Sequence, residues 1–283
     1  MHGRFQKSLP DLYEAGQYKR VLRLGRKPVL IIASSKGSTE KPRIRVETHP
    51  QLSTPKQQCL QNLLDVMFGS SFDFNGFRRV ARKDRLMNTI ARELAGLRPI
   101  APPTMFEALV IAITEQQISL NAAIAIRSRL VERWGDIVRY GGMKFYAFPT
   151  ANSLASATSA QMRILGLSRS KALYIRELAG KVGRRELDLE SLRALDDESA
   201  VAELTKIKGI GRWSAEYALV RGMGRVNSLP ADDLGIQRAV SRAYFSGRKI
   251  GSKEVRRVLD KFTPYSGIAA FYLMYHLFWL QRH

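Results

Sequence analysis

The chain has 283 residues, 45% of them hydrophobic, which exceeds one ordinary core and sets it among globular proteins of two or three domains. Lys and Arg number 46 against 25 Asp and Glu, a formal charge of +21, so a polyanionic partner is expected and nucleic acid leads. The single cysteine, Cys59, excludes an internal disulfide and any four-cysteine zinc or iron–sulfur site.

The opening MHGRFQKSLPDLYE has no apolar signal core, so the protein is expected to work inside the cell. From Tyr18 to Val46 the pattern is of short strands, Arg20 to Leu24, Val29 to Ala33 and Arg43 to Glu47, parted by Gly25, Pro28, Gly37 and Pro42. Leu60, Leu63, Leu64 and Met67 then recur at helical spacing within Thr54 to Phe68. Together these predict a small N-terminal α+β domain over residues 1–82.

The remainder reads as almost wholly helical. Arg85 to Leu97 is a helix stopped by Pro99, and Thr104-x-x-Glu107 is a capping box opening the apolar run to Ile113. Gln116-Gln117-Ile118-Ser119 interrupts the apolar pattern before Ala122 to Trp134. Thr158-x-x-Gln161 is a second capping box, and Gly166 to Ala172 is a turn leading into the helical run Leu173 to Val182. The longest apolar run, Ile268 to Leu280, is too short for a membrane span and contains His276, so it is expected to be a buried helix.

One stretch organises the chain. Glu198 to Lys206 and Trp213 to Val220 have helical spacing, and Gly209 and Gly211 part them. Glycine lets the backbone turn with positive φ and lets a phosphate approach the N–H groups that open the second helix. Lys206, Lys208 and Arg212 add positive charge around that turn, as a sequence-independent backbone contact requires. A glycine pair between helices also reads as a plain tight turn, and the acids Asp232 and Asp233 that follow also read as simple helix caps.

Gly209-Ile210-Gly211-Arg212-Trp213, Tyr217 and the run Leu229 to Asp233 together resemble the signature of the helix-hairpin-helix DNA glycosylase superfamily, in particular its 3-methyladenine DNA glycosylase II branch. The resemblance covers nearly the whole chain. It implies a mainly α fold with two helical domains, residues 106–225 with the hairpin and residues 83–105 and 226–283 with the catalytic Asp, beside the N-terminal sheet domain. An opening segment that lends an aromatic side chain to the base pocket in the family has no clear counterpart here.

The resemblance also assigns roles. Asp233 is the catalytic carboxylate, because Ile236 and Arg238 follow it at the family's offsets, while Asp232 is left to cap the next helix. Trp213, Tyr217 and Tyr265 line the base pocket, with Tyr265 where a tryptophan can occur. The resemblance has Gln116 and Gln117 enter the gap left by the base, Gln117 as the wedge. From their own chemistry, Lys206, Lys208, Gly209, Gly211 and Arg212 are expected to contact DNA, and Ser168 and Arg169 the backbone of the opposite strand. From the residues alone, the aromatics read equally as core, Gln116 to Ser119 as a polar helix end, and Ser168-Arg169 as a solvated loop.

Loss of an N-glycosidic bond passes through an oxocarbenium-like sugar that one carboxylate can stabilise. An alkylated purine already carries positive charge and leaves without an acid partner, so 3-methyladenine and 7-methylguanine are the expected lesions. Bifunctional members place a Schiff-base lysine where this chain has Trp213, so the resemblance implies a monofunctional hydrolase that leaves an abasic site. It implies double-stranded damaged DNA as partner, no organic cofactor, no iron–sulfur cluster, no membrane and a monomer. A monovalent cation on the carbonyls of Ile207, Lys208 or Ile210 is the one ion it allows. The alternatives are a non-catalytic helix-hairpin-helix DNA-binding protein, or a glycosylase for oxidised or deaminated bases.

Overall fold

A computed structural model describes residues 9–25, 27–38, 43–70, 72–98 and 100–280. The opening segment before Leu9 and the punctuating Pro42 and Pro99 lie outside the described residues. In chain order come β1 (Leu12–Glu14), β2 (Gln17–Leu24), β3 (Lys27–Ser35) and β4 (Ile44–His49), then α1 (Thr54–Met67), α2 (Phe74–Ala81) and α3 (Arg85–Glu93). Next are α4 (Met105–Glu115), α5 (Leu120–Trp134), β5 (Ile137–Tyr140), β6 (Met143–Tyr146), α6 (Ala151–Ser156), α7 (Ser159–Ile164) and α8 (Arg169–Gly183). The chain continues with α9 (Asp197–Thr205), α10 (Arg212–Gly222), α11 (Leu234–Tyr244), α12 (Ser252–Leu259) and α13 (Ser266–Leu280). The fold is mainly α with a small N-terminal antiparallel sheet.

Two compact units divide these elements: residues 1–64, 109–191 and 207–209 form one, and residues 65–108, 192–206 and 210–283 form the other.

In the first unit β1 to β4 pair antiparallel in sequence order, with β2 against β3 from Gln17↔Ser34 to Leu24↔Lys27. Val29 to Ala33 of β3 are all buried, so this strand is a continuous apolar run without alternation, as burial on both faces requires. Part of the cover comes from the β5–β6 hairpin, whose Phe145 packs with Val21, Leu30 and Ile32. That hairpin is absent from the sequence expectations. Its turn is Gly141-Gly142, both with positive φ, the backbone a two-residue hairpin loop needs.

In the second unit the core is built from α2, α3, α11, α12 and α13 around Phe77, Met87, Ile90, Val240, Leu259, Phe262 and Tyr272. Each large apolar side chain buried there contributes about 1.5–3 kcal/mol. α13 supplies Ile268 to Ala270, Tyr272 and Leu273 to this core, and no helix among the described residues is long and apolar enough to cross a membrane.

The capping signals are largely realised. Thr158 and Gln161 form the reciprocal box, and Thr104 Oγ1 accepts the Glu107 N–H at 3.2 Å. The helix expected over Arg85 to Leu97 stops at Glu93, capped by Asp84 at its start.

Candidate active site

Asp233 immediately precedes α11, and its Oδ1 accepts the N–H groups of Gly235 and Ile236 at 2.8 and 3.0 Å. It is therefore Asp233 that caps this helix. The expectation that Asp232 would do so is corrected: only the residue directly before the first helical position reaches the second and third N–H groups, and Asp232 lies one place too early and is exposed. The other carboxylate oxygen, Oδ2, accepts Trp213 Nε1 at 3.1 Å. A carboxylate has about four acceptor positions. Three are filled by these N–H groups, so the side chain is fixed in direction with one position on Oδ2 left for a further partner.

Trp213 lies in the first turn of α10 and Tyr217 follows one turn later on the same face, their ring centroids 5.4 Å apart and the planes 34° from parallel. Both are half-buried. A carboxylate beside a tilted aromatic pair offers an acceptor for positive charge and flat surface for a ring.

Tyr265, the third expected aromatic, sits just before α13 with its hydroxyl donating to Asp73 Oδ2 at 3.1 Å and its ring against Phe72 and Phe77. It lines a cavity of about 300 Å³ with Asp73, Phe72, Val220, Met223 and Pro264. The last turn of α10 thus forms one wall of that cavity, while the first turn carries Trp213.

Three residues absent from the sequence expectations matter here. Glu216, on α10 between the two aromatics, is buried and accepts Arg212 Nε at 2.8 Å and Arg256 Nη2 at 2.7 and 3.0 Å. Burial pushes its carboxyl above the ordinary value, against the pull of the Arg256 and Arg212 guanidiniums. The pair with Arg256 ties α10 to α12. Asp73 is the third. Only the acidic side chain itself hinted at it, since its partner Tyr265 lies 192 positions away.

The hairpin closes as its glycines require. Gly209 has φ +87, and an added Cβ would lie 2.3 Å from Tyr174 ring carbons, so both backbone conformation and close approach demand glycine. Gly211 has an ordinary φ, and a Cβ there would meet nothing within 4 Å. It leaves the start of α10 without a side-chain cap, open to an anion. The basic residues nearby are paired: Lys206 with Glu203, Lys208 with Glu177, and Arg212 with Glu198 as well as Glu216.

Gln116 Nε2 donates to the Gly209 carbonyl at 2.9 Å, bracing the hairpin. Lys171 Nζ donates to the carbonyls of Thr114 and Gln116 at 2.9 and 2.5 Å, and burial lowers its pKa. The loop is thereby held with Gln117 exposed at φ +54, a conformation uncommon outside glycine. Ser168 caps α8 by accepting the Lys171 N–H at 3.2 Å, and Arg169 is exposed beside it.

A 3-methyladenine DNA glycosylase from Archaeoglobus fulgidus superposes with a TM-score of 0.84 at 32% identity, over 94% of this chain and 89% of that one. The DNA-3-methyladenine glycosylase of Bacillus subtilis is 29% identical across 77% of this chain and 72% of its own length. The DNA-3-methyladenine glycosylase 2 of Escherichia coli is 27% identical across 65% of this chain and 62% of its own. Residues 110–264, which hold the hairpin, Trp213 and Asp233, match the family model described as HhH-GPD superfamily base excision DNA repair protein, and the chain belongs to that superfamily.

Proposed function

We propose that this protein is a base excision repair glycosylase for alkylated bases. It binds double-stranded DNA, turns a methylated purine of the 3-methyladenine or 7-methylguanine type out of the helix, and hydrolyses the glycosidic bond to leave an abasic site. The observation that carries this reading is the Asp233 carboxylate, fixed by three N–H donors beside the Trp213–Tyr217 pair.

A base inside the duplex cannot be reached, so it must first be extruded and stacked. As the bond to a cationic purine lengthens, positive charge develops on the sugar, and the free position of Asp233 Oδ2 is available to stabilise it or to orient the attacking water. The purine needs no proton to depart, so Asp233 needs no acid partner for the leaving group. Trp213 occupies the place of the Schiff-base lysine, so water is the nucleophile and the strand stays intact.

The hairpin with Lys206, Lys208 and Arg212 grips the backbone, while Ser168 and Arg169 take the other strand and Gln117 fills the gap. The pairs of Lys206, Lys208 and Arg212 with Glu203, Glu177 and Glu198 are exposed and cost little to exchange for phosphate, while Arg212 keeps its bond to buried Glu216. A monovalent cation on the carbonyls of Ile207, Lys208 or Ile210 would add positive charge toward the phosphate. The Gly209 carbonyl, engaged by Gln116, is not part of that set. The protein acts as an intracellular monomer without organic cofactor.

Methylated duplex DNA incubated with the protein should release free base, leave alkali-labile sites and show no nicking before alkali. Borohydride should trap no covalent complex. Tight binding with no base released from any methylated, deaminated or oxidised substrate would instead make it a binding protein.

A further inference from the structure

Tyr265 is anchored more closely than a stacking surface needs. Its hydroxyl donates to Asp73 Oδ2 at 3.1 Å, and Asp73 in turn caps α2, its Oδ1 accepting the Gly76 N–H at 2.8 Å. An added Cβ at Gly76 would lie 2.1 Å from both Asp73 Oδ2 and Tyr265 Oη, so the acid and the phenol can meet only because residue 76 is glycine. Both partners line the 300 Å³ cavity, and among the described residues lining it, Val66, Phe72, Val220, Met223 and Pro264 included, Asp73 is the one charged side chain.

A cavity of this make-up has a preference written into its chemistry. An apolar wall and an aromatic ring accept any flat heterocycle of suitable size. A carboxylate at the phenol end accepts N–H donors and positive charge and repels electron-rich edges, so a flat cation gains both from the ring face and from the acid. The Gly76 N–H and then the Tyr265 hydroxyl hold the Asp73 carboxyl below its usual range, so the charge is present throughout the neutral range. Arg79 stands 3.7 Å from Asp73 Oδ2 with both side chains exposed, a weak pair that subtracts from the field in the cavity.

We propose that Asp73 is a specificity-determining residue of this protein: through its place beside Tyr265 it selects bases that carry positive charge over neutral bases of the same shape. This rests on the reading that Tyr265 lines the site of the released base. Arg79 moderates the preference, and Gly76 makes it sterically possible.

The test is calorimetric titration of the full chain with 3,9-dimethyladeninium, a fixed cation, and with neutral 9-methyladenine, alongside release of 7-methylguanine and hypoxanthine from duplex DNA. The wild-type protein should bind the cation about tenfold tighter than the neutral purine. Asp73→Asn should collapse that ratio while the affinity for 9-methyladenine stays the same, and should lower 7-methylguanine release relative to hypoxanthine release. Arg79→Gln, a change at an exposed site that leaves the fold alone, should raise the ratio about twofold. A ratio that Asp73→Asn and Arg79→Gln leave unchanged overturns the proposal. So does an equal loss of affinity for both purines in Asp73→Asn, since that is the mark of a group that only holds the ring. Should the wild-type protein release no base from DNA yet bind the cation in an Asp73-dependent way, the excision reading fails and the selectivity of the cavity stands.

Discussion

Replacing Asp233 by Asn separates two things that its carboxylate does. The amide oxygen can still accept the Gly235 and Ile236 N–H groups, so α11 keeps its cap. The amide nitrogen then faces Trp213 Nε1, donor against donor, and the negative charge beside the sugar is gone. Asp233→Asn is therefore expected to lower kcat/KM for 7-methylguanine release by at least about 10³-fold, with stability changed by less than about 1 kcal/mol. Single-turnover excision and thermal melting measure the two effects, and full excision activity in this variant would remove the basis of the mechanism. Trp213→Phe keeps an aromatic ring while deleting the N–H and part of the stacking surface. Its expected loss is milder, about 10- to 100-fold in kcat, because Asp233 keeps its charge and cap but loses the bond that aims Oδ2.

At the scale of elements, the two hairpin glycines are predicted to behave differently. Gly209→Ala forces a side chain at φ +87 into the Tyr174 ring, and should destabilise the protein by about 1–3 kcal/mol. Gly211→Ala meets nothing and has an ordinary backbone, so its melting temperature should hold while duplex DNA affinity falls, the methyl standing where a phosphate would approach. Undiminished DNA binding by Gly211→Ala would mean that the phosphate does not approach this turn. A second junction joins three elements: Asp84 caps α3, accepts Lys261 Nζ at 2.7 Å, and accepts the hydroxyl of Tyr244 from α11 at 3.1 Å. Burial alone would raise its pKa, but the hydrogen bonds from Lys261 and the Met87 N–H outweigh it and leave the carboxyl below its usual value. An acid with a depressed folded pKa stabilises the fold above its unfolded pKa, near 3.9, and loses that contribution as pH falls through the folded value. Asp84→Ala should thus cost about 1–3 kcal/mol in urea melts at pH 7, and the gap from wild type should shrink as pH falls below about 4.

These elements also show what could be read along the chain. α9 and α10 declared themselves through apolar residues every third or fourth position and two glycines between them, and the resemblance of that stretch pointed to Asp233 and the aromatics. The β5–β6 hairpin escaped although Gly141-Gly142 is a turn signal, because four-residue strands offer too few alternations to stand out. Asp73 with Tyr265 and Glu216 with Arg256 escaped for another reason: their partners lie 192 and 40 positions apart, and no local periodicity links them. Giving the cap to Asp232 and the chemistry to Asp233 fails at the cap, since Asp233 alone contacts both the helix and Trp213.

For the whole molecule the governing quantity is the formal charge of +21. Spread over folded segments, it steers any polyanion toward the protein, but only charges that meet phosphate release counterions and so set the salt dependence of binding. Lys206, Lys208, Arg212 and Arg169 are the four basic side chains assigned here to the backbone. With about 0.9 of a unit per neutralised phosphate, four contacts give a slope of log affinity on log salt near −3.6, or roughly a 10²-fold loss between 50 and 200 mM. The local ion pairs reduce the net gain without changing the number of counterions released. Fluorescence anisotropy on undamaged duplex across that salt range should give this slope, and replacing Lys206 and Lys208 together by Gln should make it shallower by about 1.8. A double variant with the wild-type slope would place the DNA away from the hairpin, because a side chain that releases no counterion touches no phosphate.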